Sequence, residues 1–263
     1  MNCERYQRQI ILPNFGTEGQ EKLSQAKVLV VGAGGLGCPV LQLLTAAGVG
    51  NLGIIDYDAI TVSNLQRQFL YDENSVGRNK AITAKERLQQ LNSEISITAY
   101  PEKLTRQNAL DVLKNYDIAV GCTDNFQSRY LLNDACYLLN KPLVYGAVYQ
   151  YEGQVSVFNV EKDGIKTHYR DLFPRLPRPE NLPGHDRLGV LGTGSCMTGA
   201  FQAQEVIKLI TGIGEILAGK LLTINILNCQ IRIIRYKQSM QSDVPESIEE
   251  FSTVDYESIG SSI

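Results

Sequence analysis

A cluster of glycines directly after a short apolar stretch is the feature that most restricts how this chain can fold. Residues 27–31 read KVLVV, and residues 36–47 have the apolar spacing of a helix. The turn between them contains Gly32, Gly34, Gly35 and Gly37. Because glycine lets a backbone pass close to phosphate, the pattern predicts a strand, a tight turn and a helix N-terminus that faces an anion. It indicates a nucleotide without specifying which one.

Asp56 adds a second element of such a site. It closes the apolar segment GVGNLGIID about 20 residues after the glycines, where the dinucleotide-binding fingerprint places a carboxylate that binds a ribose. An aspartate at this point can instead cap a helix or stabilise a turn. On these residues alone, NAD and ATP fit equally well.

Strand and helix patterns alternate along the chain. Helical spacing returns at residues 81–91 and 126–139, and apolar strands are expected at 95–99, 118–121 and in PLVYGAV. This order predicts an α/β fold with a doubly wound, mostly parallel sheet of the Rossmann type.

The later part of the chain has a different character. The segment EGQVSVF alternates like a half-exposed strand, and residues 197–210 are apolar at helical spacing. Residues 221–226 and 230–236 are typical of an antiparallel pair. We therefore expect a C-terminal antiparallel extension of the sheet.

The predicted domain covers residues 1–237. It begins with a helical N-terminal arm at 1–26, and a proline-rich, mobile crossing loop is expected at 160–190. Residues 238–263 are acidic and serine-rich and contain no Lys or Arg, which predicts a disordered tail or linker.

Composition excludes several classes of function. A formal net charge of -3 provides no field that would gather nucleic acid or an anionic membrane surface. The first residues, MNCERYQRQIIL, predict neither a signal peptide nor a membrane anchor, so we expect a cytoplasmic protein. The six cysteines include no C-x-x-C pair, which indicates free thiols rather than a structural zinc site.

Two polar motifs favour ATP over NAD. Residues 63–68 read S-N-L-Q-R-Q, and residues 77–80 read G-R-N-K at the start of a helix. A dehydrogenase holds only a pyrophosphate bridge, whereas the charge of a triphosphate must be neutralised, and Arg67 and Lys80 could do so. Each could also be a solvated surface charge. The chain contains no G-x-x-x-x-G-K-[ST], which disfavours a Walker-type kinase or ATPase.

Asp124 is a candidate ligand for a metal ion. It follows the strand that ends at Gly121, in the sequence C-T-D-N, and is therefore expected at the carboxyl edge of the sheet, where open α/β sheets bind ligands. A carboxylate beside a triphosphate would hold Mg²⁺. Asp124 could instead cap the next helix, a role that Asn125 could share.

Taken together, these motifs resemble the MoeB/ThiF/HesA family. Within residues 4–237 the chain contains, in order, R-Y-Q-R-Q-I-I-L, G-A-G-G-L-G, I-I-D-Y-D, S-N-L-Q-R-Q, V-G-R-N-K, C-T-D-N, E-G-Q-V-S-V-F and Q-A-Q-E-V-I-K-L-I-T-G. The family is similar to the adenylation half of ubiquitin-activating enzymes. The resemblance implies a homodimeric adenylyltransferase that uses ATP and Mg²⁺ to activate the C-terminal glycine of a ubiquitin-like sulfur carrier, such as ThiS or MoaD, for thiamine or molybdopterin synthesis.

The resemblance also implies roles for individual residues. Gly35 would lie against the nucleotide, Asp56 would bind the ribose and Asp124 the metal. Asn64, Arg67 and Lys80 would hold the phosphates, and Arg8 would reach them from the partner subunit. The expected catalytic residues are Arg8, Arg67, Lys80 and Asp124. The expected nucleotide site comprises Gly32, Gly34, Gly35, Gly37, Asp56, Asp58, Ser63, Asn64, Leu65, Gln66, Arg67, Lys80, Asp124 and Asn125.

The chain departs from the family pattern at two points. Many members bind zinc through two C-x-x-C pairs, which are missing here, so we expect no zinc and another means of holding the C-terminal hairpin. Many also carry a crossing-loop cysteine for sulfur transfer, where this chain offers His185. A separate sulfurtransferase could then deliver sulfur, and a rhodanese-like domain could follow the tail in a longer protein. Cys196 is expected in the core.

Three other functions remain open at this point. A relative in the same superfamily could adenylate a modified tRNA base or a ribosomal peptide, although the near-neutral charge argues against tRNA. The glycines and Asp56 would also suffice for an NAD-dependent oxidoreductase, which leaves Arg67, Lys80 and Asp124 unexplained. The third alternative is a binding module that has lost catalysis. It is disfavoured, because such a module would not need a complete set of phosphate-site residues.

Overall fold

One mixed sheet forms the centre of the computed structural model, which describes residues 3–162, 164–174, 189–239 and 243–258. The strands are β1 Lys27–Val31, β2 Asn51–Ile55, β3 Ser96–Tyr100, β4 Ile118–Gly121, β5 Leu143–Tyr149, β6 Glu152–Phe158, β7 Glu161–Lys162, β8 Ile165–Lys166, β9 Lys220–Asn225 and β10 Gln230–Arg235. Eight of them join in the order β10-β9-β6-β5-β4-β1-β2-β3, and β7 pairs with β8 separately.

The direction of the strands confirms the predicted fold class. From β3 through β2, β1 and β4 to β5 the pairs are parallel. The pairs β5–β6, β6–β9 and β9–β10 are antiparallel, as expected for the C-terminal extension. The arrangement is a Rossmann-like sheet that continues into an antiparallel edge.

Helices cover both faces of the sheet. They are α1 Cys3–Ile10, α2 Gly16–Gln25, α3 Gly37–Ala47, α4 Lys80–Leu91, α5 Ala109–Leu113, α6 Phe126–Leu138, α7 Tyr169–Leu172, α8 Gly192–Thr211 and α9 Ile248–Thr253. Val28 and Val30 of β1 pack with α2, α3, α4 and α8, whereas Leu29 and Val31 pack with α5, α6, α7 and α9, because successive strand residues point to opposite faces. In the part of the chain that the structure describes, we found no helix long and apolar enough to cross a bilayer.

The crossing segment is more ordered than predicted. Within the expected mobile loop at 160–190, residues 161–162 and 165–166 form a hairpin, and α7 follows. His168 and Tyr169 are buried, because their rings pack against Tyr137 and Tyr130. The prediction is therefore wrong for residues 164–174. His185 lies outside the described residues.

The prediction of a disordered tail is wrong for residues 243–258. This segment contains α9, whose first turn is capped by the Ser247 side chain and carries Glu249 and Glu250, where negative charge favours a helix. Phe251 and Tyr256 insert into the core on the α6 side of the sheet. Burial of these two large side chains thus stabilises the segment, although its average composition is typical of disorder.

A buried ionic network joins the tail to α6 and α7. Arg170 donates two hydrogen bonds to the carboxylate of Asp134, at 2.9 and 2.6 Å. The Tyr256 hydroxyl donates to the same carboxylate at 2.7 Å. Asp134 is fully buried, and Arg170 and Tyr256 are each 5% exposed. Three segments far apart in the sequence therefore meet at one carboxylate.

The C-terminal hairpin is held by a hydroxyl network. Tyr236, just beyond β10, has its hydroxyl 2.9 Å from that of Ser156 on β6 and 3.4 Å from that of Thr167. Its ring packs against Phe158. These contacts connect the end of the hairpin to the body of the sheet and to the crossing segment.

Candidate functional site

An open cleft lies at the carboxyl ends of β1, β2 and β4. Strand β1 pairs with β2 on one side and with β4 on the other, so the cleft lies where the strand order reverses, the usual ligand position in such sheets. The predicted residues that line it are Gly32, Gly34, Gly35, Asp56, Asp58, Arg67, Lys80, Asp124 and Asn125.

The four glycines of the turn serve two purposes. Gly32 has φ +96°, and a Cβ there would lie 2.7 Å from the carbonyl oxygen of Cys122. A Cβ on Gly37 would lie 2.0 Å from the Gly32 oxygen, so these two positions exclude side chains because of packing. Gly34 and Gly35 face the cleft, where a bound group could approach the backbone. Gly37 does not line it.

Asp56 braces the glycine turn from the end of β2. One carboxylate oxygen accepts the N–H of Ala33 at 2.7 Å, and the other accepts the N–H of Asp58 at 2.9 Å. Burial raises the pKa of Asp56, while these N–H groups and the charge of Lys80 oppose that rise. Each oxygen can accept a further hydrogen bond, so the carboxylate can hold the turn and a ribose together.

Lys80 is placed by the end of β2 and the start of α4. Asn79 caps α4 through a hydrogen bond from Ile82, and its amide donates to the backbone oxygens of Asp56 and Asp58. The Lys80 ammonium lies 2.8 Å from the carboxylate of Asp58. Lys80 is 6% exposed, so its charge is held at the cleft with little freedom to move.

The S-N-L-Q-R-Q segment contributes Arg67 but not every predicted residue. Arg67 is half-buried and donates a hydrogen bond to the Ser63 oxygen at 3.0 Å. Asn64 caps a short 3-10 turn by accepting from the Thr61 N–H, at 3.3 Å. Ser63, Asn64, Leu65 and Gln66 do not line the cleft in this structure.

Asp124 is not needed as a helix cap. The cap of α6 is Asn125, whose side chain accepts the N–H of Ser128 at 2.8 Å. Asp124 is exposed at the cleft. Tyr57, Asp58 and Asp124 line the same cleft. Partial burial, and then the negative charges of the two aspartates, raise the pKa of Tyr57. The carboxylate of Asp124 is therefore available to a ligand.

Sequence reasoning missed several groups that line the cleft. Arg129 lies one helical turn after Asn125, donates to the Thr123 oxygen at 3.2 Å and stacks on Phe126. Its spacing from Asn125 was a usable signal, because residues four apart share one face of a helix. Further unpredicted lining residues are Tyr57, Gln68, Lys103, Thr123 and Ser195. Ser195 had no sequence signal, because α8 joins the cleft only through the tertiary fold.

Arg8 is exposed on α1 and does not line the cleft of its own chain. Tyr6 of the same helix packs on Gly48, where a Cβ would lie 2.6 Å from its ring, and accepts a hydrogen bond from Asn92 at 2.8 Å. Gly48 and Asn92 end α3 and α4, which both begin at the cleft. The helix that carries Arg8 is thus anchored at the opposite edge of the sheet.

The buried thiols are poor nucleophiles. Burial raises the pKa of Cys38 to about 12, and it also raises the pKa of Cys122 and of Cys136. Cys122 lines the cleft but is held protonated. Cys196 is half-buried rather than in the core as predicted, and Cys229 is exposed.

Comparison with known sequences gives a consistent result. The sequence profile described as the ThiF family matches residues 6–245. The sulfur carrier protein adenylyltransferase of Thermus thermophilus is 46% identical over 257 residues, covering 97% of this chain and 95% of that protein. The adenylyltransferase and sulfurtransferase MOCS3 of Culex quinquefasciatus is 51% identical over 83% of this chain. The chain spans 49% of the length of that longer protein.

Solved structures with the same fold include MccB of E. coli. Its complex with ATP matches with a TM-score of 0.79 and 27% identity, over 92% of this chain and 75% of that one. Its complex with MccA-N7isoASN matches with a TM-score of 0.81 and 24% identity, over 94% of this chain and 75% of that one. The second match bears on the fold alone.

Proposed function

The chain belongs to the ThiF family and is an adenylyltransferase, and we propose that it adenylates the C-terminal glycine carboxylate of a ubiquitin-like sulfur-carrier protein for thiamine or molybdopterin synthesis. The observation that carries this proposal is the 46% identity to a sulfur carrier protein adenylyltransferase over 97% of the chain. It is supported by a cleft whose lining combines a glycine turn, several basic side chains and an available carboxylate.

The cleft has the groups that ATP requires. The backbone of Gly34 and Gly35 offers a cradle that a Cβ on Gly35 would fill, since that atom would lie 3.1 Å from Ser195 Oγ. Asp56 would accept hydrogen bonds from the ribose. Lys80 and Arg67 would neutralise the phosphate charge, and Lys80 would exchange its pairing with Asp58 for a phosphate oxygen.

Asp124 would hold Mg²⁺. A single exposed carboxylate suits this ion, which is commonly bound by one or two carboxylates together with substrate phosphates and water. When bound, Mg²⁺ would neutralise charge on the phosphates. Asn125, whose amide donates to Asp124, and Arg129, which lines the same cleft, would orient the groups around the ion.

The reaction is an in-line displacement at the α-phosphorus. The carrier's terminal carboxylate forms the new phosphorus–oxygen bond, and pyrophosphate leaves with the electrons of the bond that breaks. Arg67 and Lys80 stabilise the charge that accumulates on the leaving group, which is the main means of catalysis open to a site of this kind.

Sulfur delivery would fall to a separate sulfurtransferase. Cys122 is the cysteine that lines the cleft, and burial keeps its thiol protonated. We therefore propose that the chemistry at this cleft ends at the adenylated carrier.

The direct test is ATP-pyrophosphate exchange with a Gly-Gly-terminated sulfur carrier. Exchange should require the intact carrier and disappear when its last two glycines are removed, because the attacking carboxylate would no longer reach the cleft. Binding of ATP is measured in parallel by calorimetry. ATP binding without exchange with any carrier would show that the enzyme activates another substrate.

We further propose a homodimer in which Arg8 completes the partner's site. A mixture of Arg8→Ala and Asp124→Ala subunits should then regain exchange activity that neither variant shows alone. In a mixed dimer, one cleft has both an intact Asp124 and an intact Arg8 from the other chain. Equal amounts should restore about a quarter of the wild-type rate if subunits exchange freely. No recovery after verified subunit exchange would place Arg8 outside a shared site.

A further inference from the structure

A second cavity adjoins the cleft, and Lys103, Leu104 and Ser128 line both of them. These three residues define the border between the two cavities. Two of them belong to the loop after β3, and Ser128 belongs to the first turn of α6. Residues 254–257, close to the C-terminus, form another wall of the second cavity. The C-terminal part of the chain therefore reaches the border of the proposed nucleotide site without lining the cleft itself.

The order of the strands indicates which part of a nucleotide would lie at this border. Strand β2 lies between β1 and β3 and is parallel to both, so the groups that follow the three strands stand side by side at one edge. The glycine turn after β1 would receive the phosphates, and Asp56, after β2, the ribose. Because the ribose joins the base to the phosphates, the base would lie next to the loop after β3. Leu104 of this loop is buried and lines the cleft, so it offers the base an apolar surface.

Two hydrogen bonds tie residues 254–257 to both sides of this border. Arg106, in the loop after β3, donates from Nη1 to the backbone oxygen of Val254 at 3.0 Å. Gln127, in the first turn of α6, donates from Nε2 to the backbone oxygen of Glu257 at 2.9 Å. A stretch of four residues thus bridges the loop and the helix. Arg106 and Gln127 line the second cavity but not the cleft, so neither side chain is placed to touch the nucleotide.

Buried side chains fix the bridging residues to the body of the protein. The rings of Phe251 and Tyr256 pack together, with their centroids 5.6 Å apart, and both side chains are buried. The Tyr256 hydroxyl also donates to Asp134 on α6. The bridge is therefore anchored to the same helix whose first turn borders the cleft. A segment anchored in this way can hold the loop after β3 in place, which a freely moving chain end could not do.

We propose that residues 254–257 form a clamp that holds the loop after β3 against α6 and thereby shapes the pocket for the base of ATP. Arg106 and Gln127 are positioning residues, because they act through the clamp and not on the nucleotide. The proposal rests on the proposed binding of ATP in the cleft. When the clamp is released, the loop and the helix can move apart, and the fraction of protein that is competent to bind falls. The apparent affinity for ATP then falls by the same factor.

A double variant, Arg106→Met with Gln127→Met, removes both hydrogen bonds to the clamp. We expect the Kd for ATP, measured by calorimetry without a carrier, to rise by about 3- to 10-fold, the factor that corresponds to the net contribution of about one hydrogen bond. The kcat of pyrophosphate exchange at saturating ATP should stay at the wild-type value, because the reacting groups are unchanged. Arg106→Lys can still donate to the Val254 oxygen and should keep most of the affinity. Gln107→Met, an exposed change at the next residue of the loop, is the matched control and should bind ATP like the wild type.

A measurement on the wild-type protein tests the clamp without any substitution. Coupling between two equilibria is reciprocal, so bound ATP must in turn stabilise the docked clamp. Amide hydrogen exchange of residues 248–258 should therefore slow by about 3-fold or more when ATP is added. This measurement decides the matter if the double variant does not fold.

Three results would overturn the clamp. They are a Kd for ATP in the folded double variant equal to that of the wild type, amide hydrogen exchange at residues 248–258 that ATP leaves unchanged, and a wild-type protein that binds no ATP. A failure of the proposed reaction looks different. Wild-type protein that binds ATP but shows pyrophosphate exchange with no carrier contradicts the proposed substrate, and the ATP affinity of the double variant still decides whether the clamp exists.

Discussion

Replacing Asp124 with alanine should lower pyrophosphate exchange by about 10²- to 10³-fold, the usual cost of removing one group that stabilises transition-state charge. The loss should be specific to catalysis. Asp124 is exposed, and Asn125 rather than Asp124 caps α6, so the free energy of unfolding should change by less than about 0.5 kcal/mol. Exchange is measured over a range of Mg²⁺ concentrations, and unfolding is measured with a denaturant.

Asp111→Ala is the matched control for this experiment. Asp111 is another exposed aspartate; it lies on α5, pairs with Lys114 just after that helix, and does not line the cleft. This variant should keep the wild-type rate and Mg²⁺ dependence. If Asp124→Ala exchanges as fast as wild type, Asp124 takes no part in the reaction. If it loses activity only because it unfolds, the argument for a metal ligand fails as well.

The second large effect concerns stability. Arg170→Met should lower the free energy of unfolding by about 3–5 kcal/mol, because it leaves the fully buried carboxylate of Asp134 without its cation. The Tyr256 hydroxyl would still donate to that carboxylate but cannot neutralise its charge. Equilibrium unfolding in urea measures the difference from wild type.

A double variant separates the cost of an unpaired charge from the contribution of the pair. Asp134→Leu combined with Arg170→Met should recover most of the lost stability, since buried ion pairs can often be replaced by apolar residues of similar size. Lys114→Met, which breaks an exposed pair, should cost less than about 0.5 kcal/mol. If the free energy of unfolding of Arg170→Met falls by less than about 1 kcal/mol, Asp134 does not carry a buried charge in the folded protein.

Local patterns were sufficient to predict the centre of the fold. The unit from β1 through α3 to β2 has a strong periodic signal, and the turn between its first two elements leaves few alternatives to glycine. The same signal located Asp56 and Asp124, because carboxyl ends of parallel strands meet at one edge of the sheet. Residues tied to strand ends were therefore predictable from order along the chain.

Positions that depend on tertiary contacts were not predictable in this way. Ser195 lies at the cleft because α8 packs across β5 and β6, and that packing has no local signature. Residues 243–258 were predicted to be disordered from their average composition. The structure instead buries Phe251 and Tyr256 in the core, and this burial orders the segment. Arg8 remains a prediction drawn from resemblance, since its reach depends on a second chain.

The outermost strand has a consequence for the behaviour of the protein at high concentration. All six residues of β10 are exposed, including Ile231, Ile233 and Ile234, and among the described strands only β9 pairs with it. A free strand edge with apolar side chains is a template for aggregation. Arg232 and Arg235 interrupt the isoleucines, and like charges on neighbouring molecules would repel. Solubility should thus depend on these two arginines, which contribute nothing to the core.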